Sequence, residues 1–163
     1  MVILALGLTS FAIYGVKTDL YGFIPEEKFL APECLAKYSI DIEDPLTALA
    51  ITNDVRDFHR DFQCALASYE TLEKIPEIRS NALLGRVEVY LYQGHPELGI
   101  PVVDMVKLEE KNPLILSNAY LTAARINYEL HHYETAQEEL AMAKQLDPNN
   151  PNIARVEKLL RGS

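Results

Sequence analysis

Apolar and polar positions recur with helical spacing along most of the chain. The stretch Asp61-Phe62-Gln63-Cys64-Ala65-Leu66-Ala67-Ser68-Tyr69 is echoed by His95-Pro96-Glu97-Leu98-Gly99-Ile100-Pro101-Val102-Val103. It returns as His132-Tyr133-Glu134-Thr135-Ala136-Gln137-Glu138-Glu139-Leu140. Each copy sets a small residue (Ala65, Gly99, Ala136) four positions before a larger apolar one (Tyr69, Val103, Leu140), and the copies lie 34 and 37 residues apart. Four-residue spacing puts both side chains on one helix face. A recurrence near this length marks an array of helix pairs, in which each pair buries its apolar face by stacking on its neighbours. The pattern predicts an all-α fold that offers a surface rather than an enclosed pocket.

Punctuation divides residues 45–163 into three pairs and a final helix. The first pair runs from Pro45 to Pro76 behind the start signal Asp44-Pro45, the second from Glu77 to Pro113, and the third from Leu114 to Asn150. In the turn Gln93-Gly94-His95-Pro96, Gly94 suits the left-handed position that ends a helix and Pro96 the first turn of the next. Pro148 cannot continue a helix, while Asn149 or Asn150 can cap the following one with Pro151 at its first position. Ile153, Val156, Leu159 and Leu160 then form one apolar stripe, with Arg155, Glu157, Lys158 and Arg161 outside it, as expected of a helix that closes the array. Pro101 interrupts the second helix of the middle pair, which therefore either kinks or begins near Ile100.

In the third unit, Tyr120, Ala123, Ala124 and Tyr128 are followed by Tyr133, Ala136, Leu140, Ala143 and Leu146-Asp147-Pro148-Asn149-Asn150. This arrangement resembles the tetratricopeptide repeat family, most closely over residues 114–150 and more weakly over 45–113. The resemblance implies a tetratricopeptide-like helical solenoid of three helix pairs with a C-terminal capping helix. It also implies that the first helix of each pair lines a concave groove for a protein or peptide. By that register the groove positions are Asp54, Asp57 and Phe58, then Asn81, Leu84, Glu88, Leu91 and Tyr92, then Asn118, Leu121, Arg125 and Tyr128. Family members that clamp the C-terminal carboxylate of heat-shock chaperones use lysines and asparagines on this face. Arg125 is the one cation among these twelve positions, which speaks against such a clamp. An apolar floor rimmed by Asp54, Asp57 and Glu88 suits an amphipathic helix or extended peptide bearing Lys or Arg. The same apolar side chains could instead pack between repeats.

Ahead of the repeats, residues 1–24 form an apolar N-terminal segment whose side chains carry no charge before Lys17. A helix apolar all round is buried in protein or lipid. Sixteen residues reach only about 24 Å as a helix, short of a roughly 30 Å hydrocarbon core, and extension to Ile24 crosses Lys17 and Asp19. The segment is expected to be a single-pass membrane anchor. A cleaved signal, for which Ser10-Phe11-Ala12 has the small-x-small form but no basic residue precedes the apolar run, and a packed helix are the alternatives. Residues 25–44 read as a spacer with Pro25, Pro32, the acidic residues Asp41, Glu43 and Asp44, and a short helix over Glu33 to Tyr38.

At 163 residues and 48% apolar the chain can bury a core, and its net charge of −9 argues against nucleic acid, for which no basic stripe exists. The expected partners are proteins or peptides, neutral or basic. Cys34 and Cys64 have no metal-ligand spacing and permit one bridge at most, which the sequence leaves undecided. His59, His95, His131 and His132 fall mostly at turns, and nothing resembles a phosphate loop or a catalytic triad. No metal, cofactor or catalysis is expected. Two functional classes remain: a membrane-tethered adaptor that assists assembly of an envelope complex, and a soluble acidic chaperone resembling those of type III secretion.

Overall fold

The computed structural model describes residues 31–162. The apolar segment 1–24, and with it the expected membrane anchor, lies outside the described residues, as does the start of the spacer. Among the described residues there is no strand, and the elements are eight α-helices. They are α1 (Ala31–Lys37), α2 (Pro45–Asp54), α3 (Phe62–Leu72), α4 (Arg79–Tyr92), α5 (Ile100–Glu109), α6 (Pro113–Glu129), α7 (Tyr133–Leu146) and α8 (Ile153–Leu160). None is long and apolar enough to cross a membrane.

Local chemistry sets most boundaries. Asp44 caps α2 by accepting from the Thr47 amide at 3.3 Å, Asp61 caps α3 through Cys64 at 3.2 Å, and Asn112 caps α6 through Leu114 at 3.0 Å. Gly94 takes the left-handed conformation (φ 78°) that ends α4. The proline at 101 resolves simply. Pro96–Gly99 form a 3₁₀ turn and α5 begins at Ile100, so Pro101 sits in the first turn, where no backbone donor is missed. Between α2 and α3 the chain makes a π-helical turn, Val55–His59, ended by Arg60 in the left-handed region (φ 54°).

Each helix from α2 to α7 packs on its successor, and α2, α4, α6 and α8 also touch in series. The repeated phrase explains this packing. Ala65, Gly99 and Ala136 are buried, and so are Tyr69, Val103 and Leu140 four residues on. A Cβ at Gly99 would fall 2.8 Å from Val87 and 2.9 Å from Ile126, so only hydrogen lets these helices approach so closely. One core extends from α1 to α6, and a smaller one joins Leu121 and Ala124 of α6, Leu140 and Ala143 of α7, and Val156 of α8.

The exit from the third unit differs from the sequence expectation. Asn150 does not cap α8, which starts at Ile153. Its amide turns inward and donates to Ser117 at 3.0 Å and Asn118 at 2.9 Å, while its carbonyl accepts from the Asn152 backbone at 3.0 Å. A buried carboxamide requires partners on both ends, and α6 supplies one that a solvent-facing cap would not. At the other end of the molecule, Cys34 of α1 and Cys64 of α3 form a disulfide.

Because Ala136 is fully buried while its neighbour Gln137 is exposed, Ala136→Leu should destabilise the fold by about 1–3 kcal/mol and Gln137→Leu should be nearly silent. Denaturant unfolding of both variants checks this. Equal losses would mean that α7 faces its neighbours through a different side.

Candidate functional site

Helices α2, α4, α6 and α8, with the π turn, surround a cleft of about 330 Å³. Helices α2, α4 and α6 each contribute an asparagine to its wall (Asn53, Asn81 and Asn118), and Asn152 adds a fourth immediately before α8. One turn further along stand Leu84 and Gly85, Leu121 and Thr122, or Arg155 and Val156. Arg56, Asp57, Glu88 and Arg125 complete the charged floor. The spacing of three to four residues keeps each set on one helix face.

The charges on this floor are paired internally. Arg56 grips Asp57 with two hydrogen bonds of 2.7 Å, and Arg125 donates to Glu88 from the neighbouring helix. The guanidinium of Arg56 holds the Asp57 carboxyl below the usual carboxylate range. Burial alone would lower the pKa of Arg56, but its bond to Asp57 and the nearby Tyr69, Asp57 and Glu88 outweigh that and raise it. Arg155 is exposed and forms no ion pair among the described residues. Three guanidinium groups against two carboxylates leave the cleft with a positive excess.

Its amides are oriented as well. Tyr69 reaches in from α3, accepts from Arg56 at 3.1 Å and donates to the Asn53 carbonyl at 2.6 Å. Asn118 spends its carbonyl on the amides of Asn150 and Asn152, at 2.9 and 3.3 Å. Both asparagines therefore turn their acceptors into the structure and leave their NH₂ groups for whatever enters. Asn152 is turned the other way, with its NH₂ spent on Asn118, so the cleft offers amide donors at Asn53 and Asn118 and a carbonyl acceptor at Asn152. At its mouth the guanidinium of Arg60 lies 4.5 Å above the Tyr92 ring, which also stacks on Phe62 at 5.9 Å.

Eight of the expected groove positions line this cleft: Asp57, Asn81, Leu84, Glu88, Tyr92, Asn118, Leu121 and Arg125. Four do not. Asp54 is exposed outside the lining, and Phe58, which follows the register break of the π turn, points to solvent at 79% exposure. Leu91 packs on the main core, being one residue and so about 100° around the helix from Tyr92. Tyr128 meets Tyr133 edge-on at 5.5 Å. The expected acidic rim of Asp54, Asp57 and Glu88 changes in character, because two of its members are neutralised by Arg56 and Arg125. Arg56, Asn53, Thr122, Asn152 and Arg155 were absent from the sequence expectation. Asparagines on three of the cleft-lining helices, at 53, 81 and 118, with a fourth at 152 just before α8, were the available signal.

No group of His, Cys, Asp or Glu among the described residues could hold a metal ion. The four histidines stand at the ends of turns, with His131 bonded to the Tyr133 hydroxyl at 2.9 Å. Comparison with protein-family models, with curated proteins and with solved structures finds no match to the chain.

Tyr69 reaches the floor only because α4 has a glycine opposite it. A Cβ at residue 85 would lie 2.4 Å from the Tyr69 ring. Helix propensity alone would make Gly85→Ala stabilising by about 0.5–1 kcal/mol. The clash should reverse that sign and cost about 1–3 kcal/mol, read as a lowered denaturation midpoint. A raised midpoint would contradict this placement of Tyr69.

Proposed function

We propose that the chain is a tetratricopeptide-like solenoid that binds an extended segment of a protein partner in this cleft and catalyses no reaction. The observation that carries the reading is the continuity of the cleft across the four alternate helices α2, α4, α6 and α8, with an asparagine on each of the first three and Asn152 just ahead of the last. A side-chain amide matches the hydrogen-bonding groups of a peptide backbone: the free NH₂ groups of Asn53 and Asn118 suit its carbonyls and the free carbonyl of Asn152 suits an N–H. Tyr92, 37% exposed, provides the apolar contact that gives such a site much of its affinity, while Leu84 and Leu121 line the cleft from within the two cores. The series of contacts among α2, α4, α6 and α8 supports the solenoid, and the small residues at 65, 99 and 136 support its resemblance to the repeat family.

The partner we propose is a protein with an acidic stretch, rather than the basic one suggested by the sequence. The carboxylates of the cleft are already engaged, and Arg155 is the charge left over. Residues 1–24 would tether the repeats to a membrane, making the chain an adaptor that collects a component of a larger assembly.

Selection from a random peptide display library on the full chain, held in detergent, tests the cleft. Enriched sequences should carry Asp or Glu, and Arg155→Glu should weaken their binding by roughly tenfold, with a milder salt dependence. Enrichment of Lys and Arg, or indifference to Arg155→Glu and Tyr92→Ala together, would contradict the reading.

A further inference from the structure

The only two cysteines of the chain are joined, and the join lies where α1 meets the rest of the molecule. Cys34 and Cys64 are 0% and 2% exposed. Around them, Lys37 at the end of α1 and Tyr38 just after it donate to Asp61 at 2.6 and 2.9 Å. Asp61 is also the residue that caps α3 through Cys64, and its own amide bonds back to Val55 at 3.2 Å, closing the π turn. The Tyr38 ring lies 5.1 Å from that of His59, the last residue of the same turn. The other side of the turn carries Arg56 and Asp57, which form part of the cleft floor. A short chain of contacts thus runs from the sulfurs to the cleft. Among the described helices, α1 packs on α3, held there by the bridge, by Asp61 and by Leu35 against the main core.

We propose that the Cys34–Cys64 bridge is a permanent clamp on the first wall of the cleft, formed in an oxidising compartment, and that the repeats meet their partner there. Its formation balances as a thiol–disulfide exchange. The Cys34 and Cys64 thiols give two electrons and two protons to the disulfide of a thiol oxidoreductase, which leaves as a dithiol while the new S–S bond forms. Both sulfurs are sealed once α1 has docked, so the exchange precedes final packing and the finished bridge is hidden from soluble reductants. A buried bridge of this kind belongs to proteins outside the reducing cytosol. It favours the tethered adaptor over a cytosolic chaperone. The clause about the partner rests on the peptide-binding reading; the bridge and its compartment do not.

The test is made on the unaltered full chain in its own cells, quenched in acid, unfolded and treated with a maleimide mass tag. No tag without prior reductant, and two tags after it, is the expected result. Two tags without reductant would overturn the proposal, whatever the cleft binds. Hydrogen exchange of the purified chain tests the clamp separately. In a Cys34→Ala, Cys64→Ala variant, amides of residues 55–61 should exchange roughly tenfold faster or more, while those of α6 and α7 stay as protected as before. Unchanged exchange at 55–61 would overturn the clamp. If that variant fails to fold, a Cys34→Val, Cys64→Ala pair, which refills the space of the sulfurs, carries the same exchange test with the same outcomes.

Discussion

A large side chain can pass between two helices only where the backbone it crosses carries no Cβ. Tyr69 makes such a passage opposite Gly85 and ends with its hydroxyl between Arg56 and Asn53. The core and the cleft are therefore not separate constructions. The ring belongs to the buried interior of α3, and the phenolic oxygen belongs to the polar floor formed by α2 and α4. Burial raises the pKa of this hydroxyl, keeping it neutral and available both to donate and to accept. Without it the guanidinium of Arg56 would lose an acceptor and Asn53 would lose the donor that orients its amide. Buried groups deprived of partners cost about 1–3 kcal/mol each, enough to disorder one wall.

On the proposed reading, local pairing rather than net charge decides what the cleft receives. The chain carries −9 overall, yet the cleft pairs both its carboxylates with arginines and keeps one guanidinium over. Long-range attraction of a basic partner to the acidic surface is screened within about 10 Å at 0.1 M salt. Contacts inside the cleft are made at hydrogen-bonding distance and are screened much less. An acidic protein with a positive excess in its cleft is thus no contradiction. The surrounding negative charge would discourage acidic chains that cannot reach the floor, which adds selectivity.

Features fixed by a single helix were legible in the sequence. The spacing of Ala65 with Tyr69 and of Ala136 with Leu140 announced helix contacts that the fold contains, and Asp44, Gly94 and Pro96 marked true boundaries. The short helix around Cys34 and the stripe from Ile153 to Leu160 were likewise visible as periodicity. Features that need two elements were not. Arg56 looks like any surface arginine until Tyr69 arrives through Gly85. Glu88 reads as a rim charge until α6 brings Arg125 beside it. The pairing of Cys34 with Cys64 depends on how α1 lies on α3, and two cysteines 30 residues apart do not state that. The π turn left no periodic trace, and it is what sends Phe58 into solvent while its neighbour Asp57 stays in the cleft.

The central claim is that the cleft, and not the outer helices, is the working surface. Tyr92 and Tyr133 allow a direct comparison, since both are exposed tyrosines and only the first lines the cleft. A photo-crosslinking benzoylphenylalanine placed at one or the other in the full chain, in its own cells, would record what touches each. The account predicts one discrete partner adduct from position 92 that is lost on adding Arg155→Glu, and none from position 133. An adduct from position 133 alone, or the same adduct from both, would contradict it.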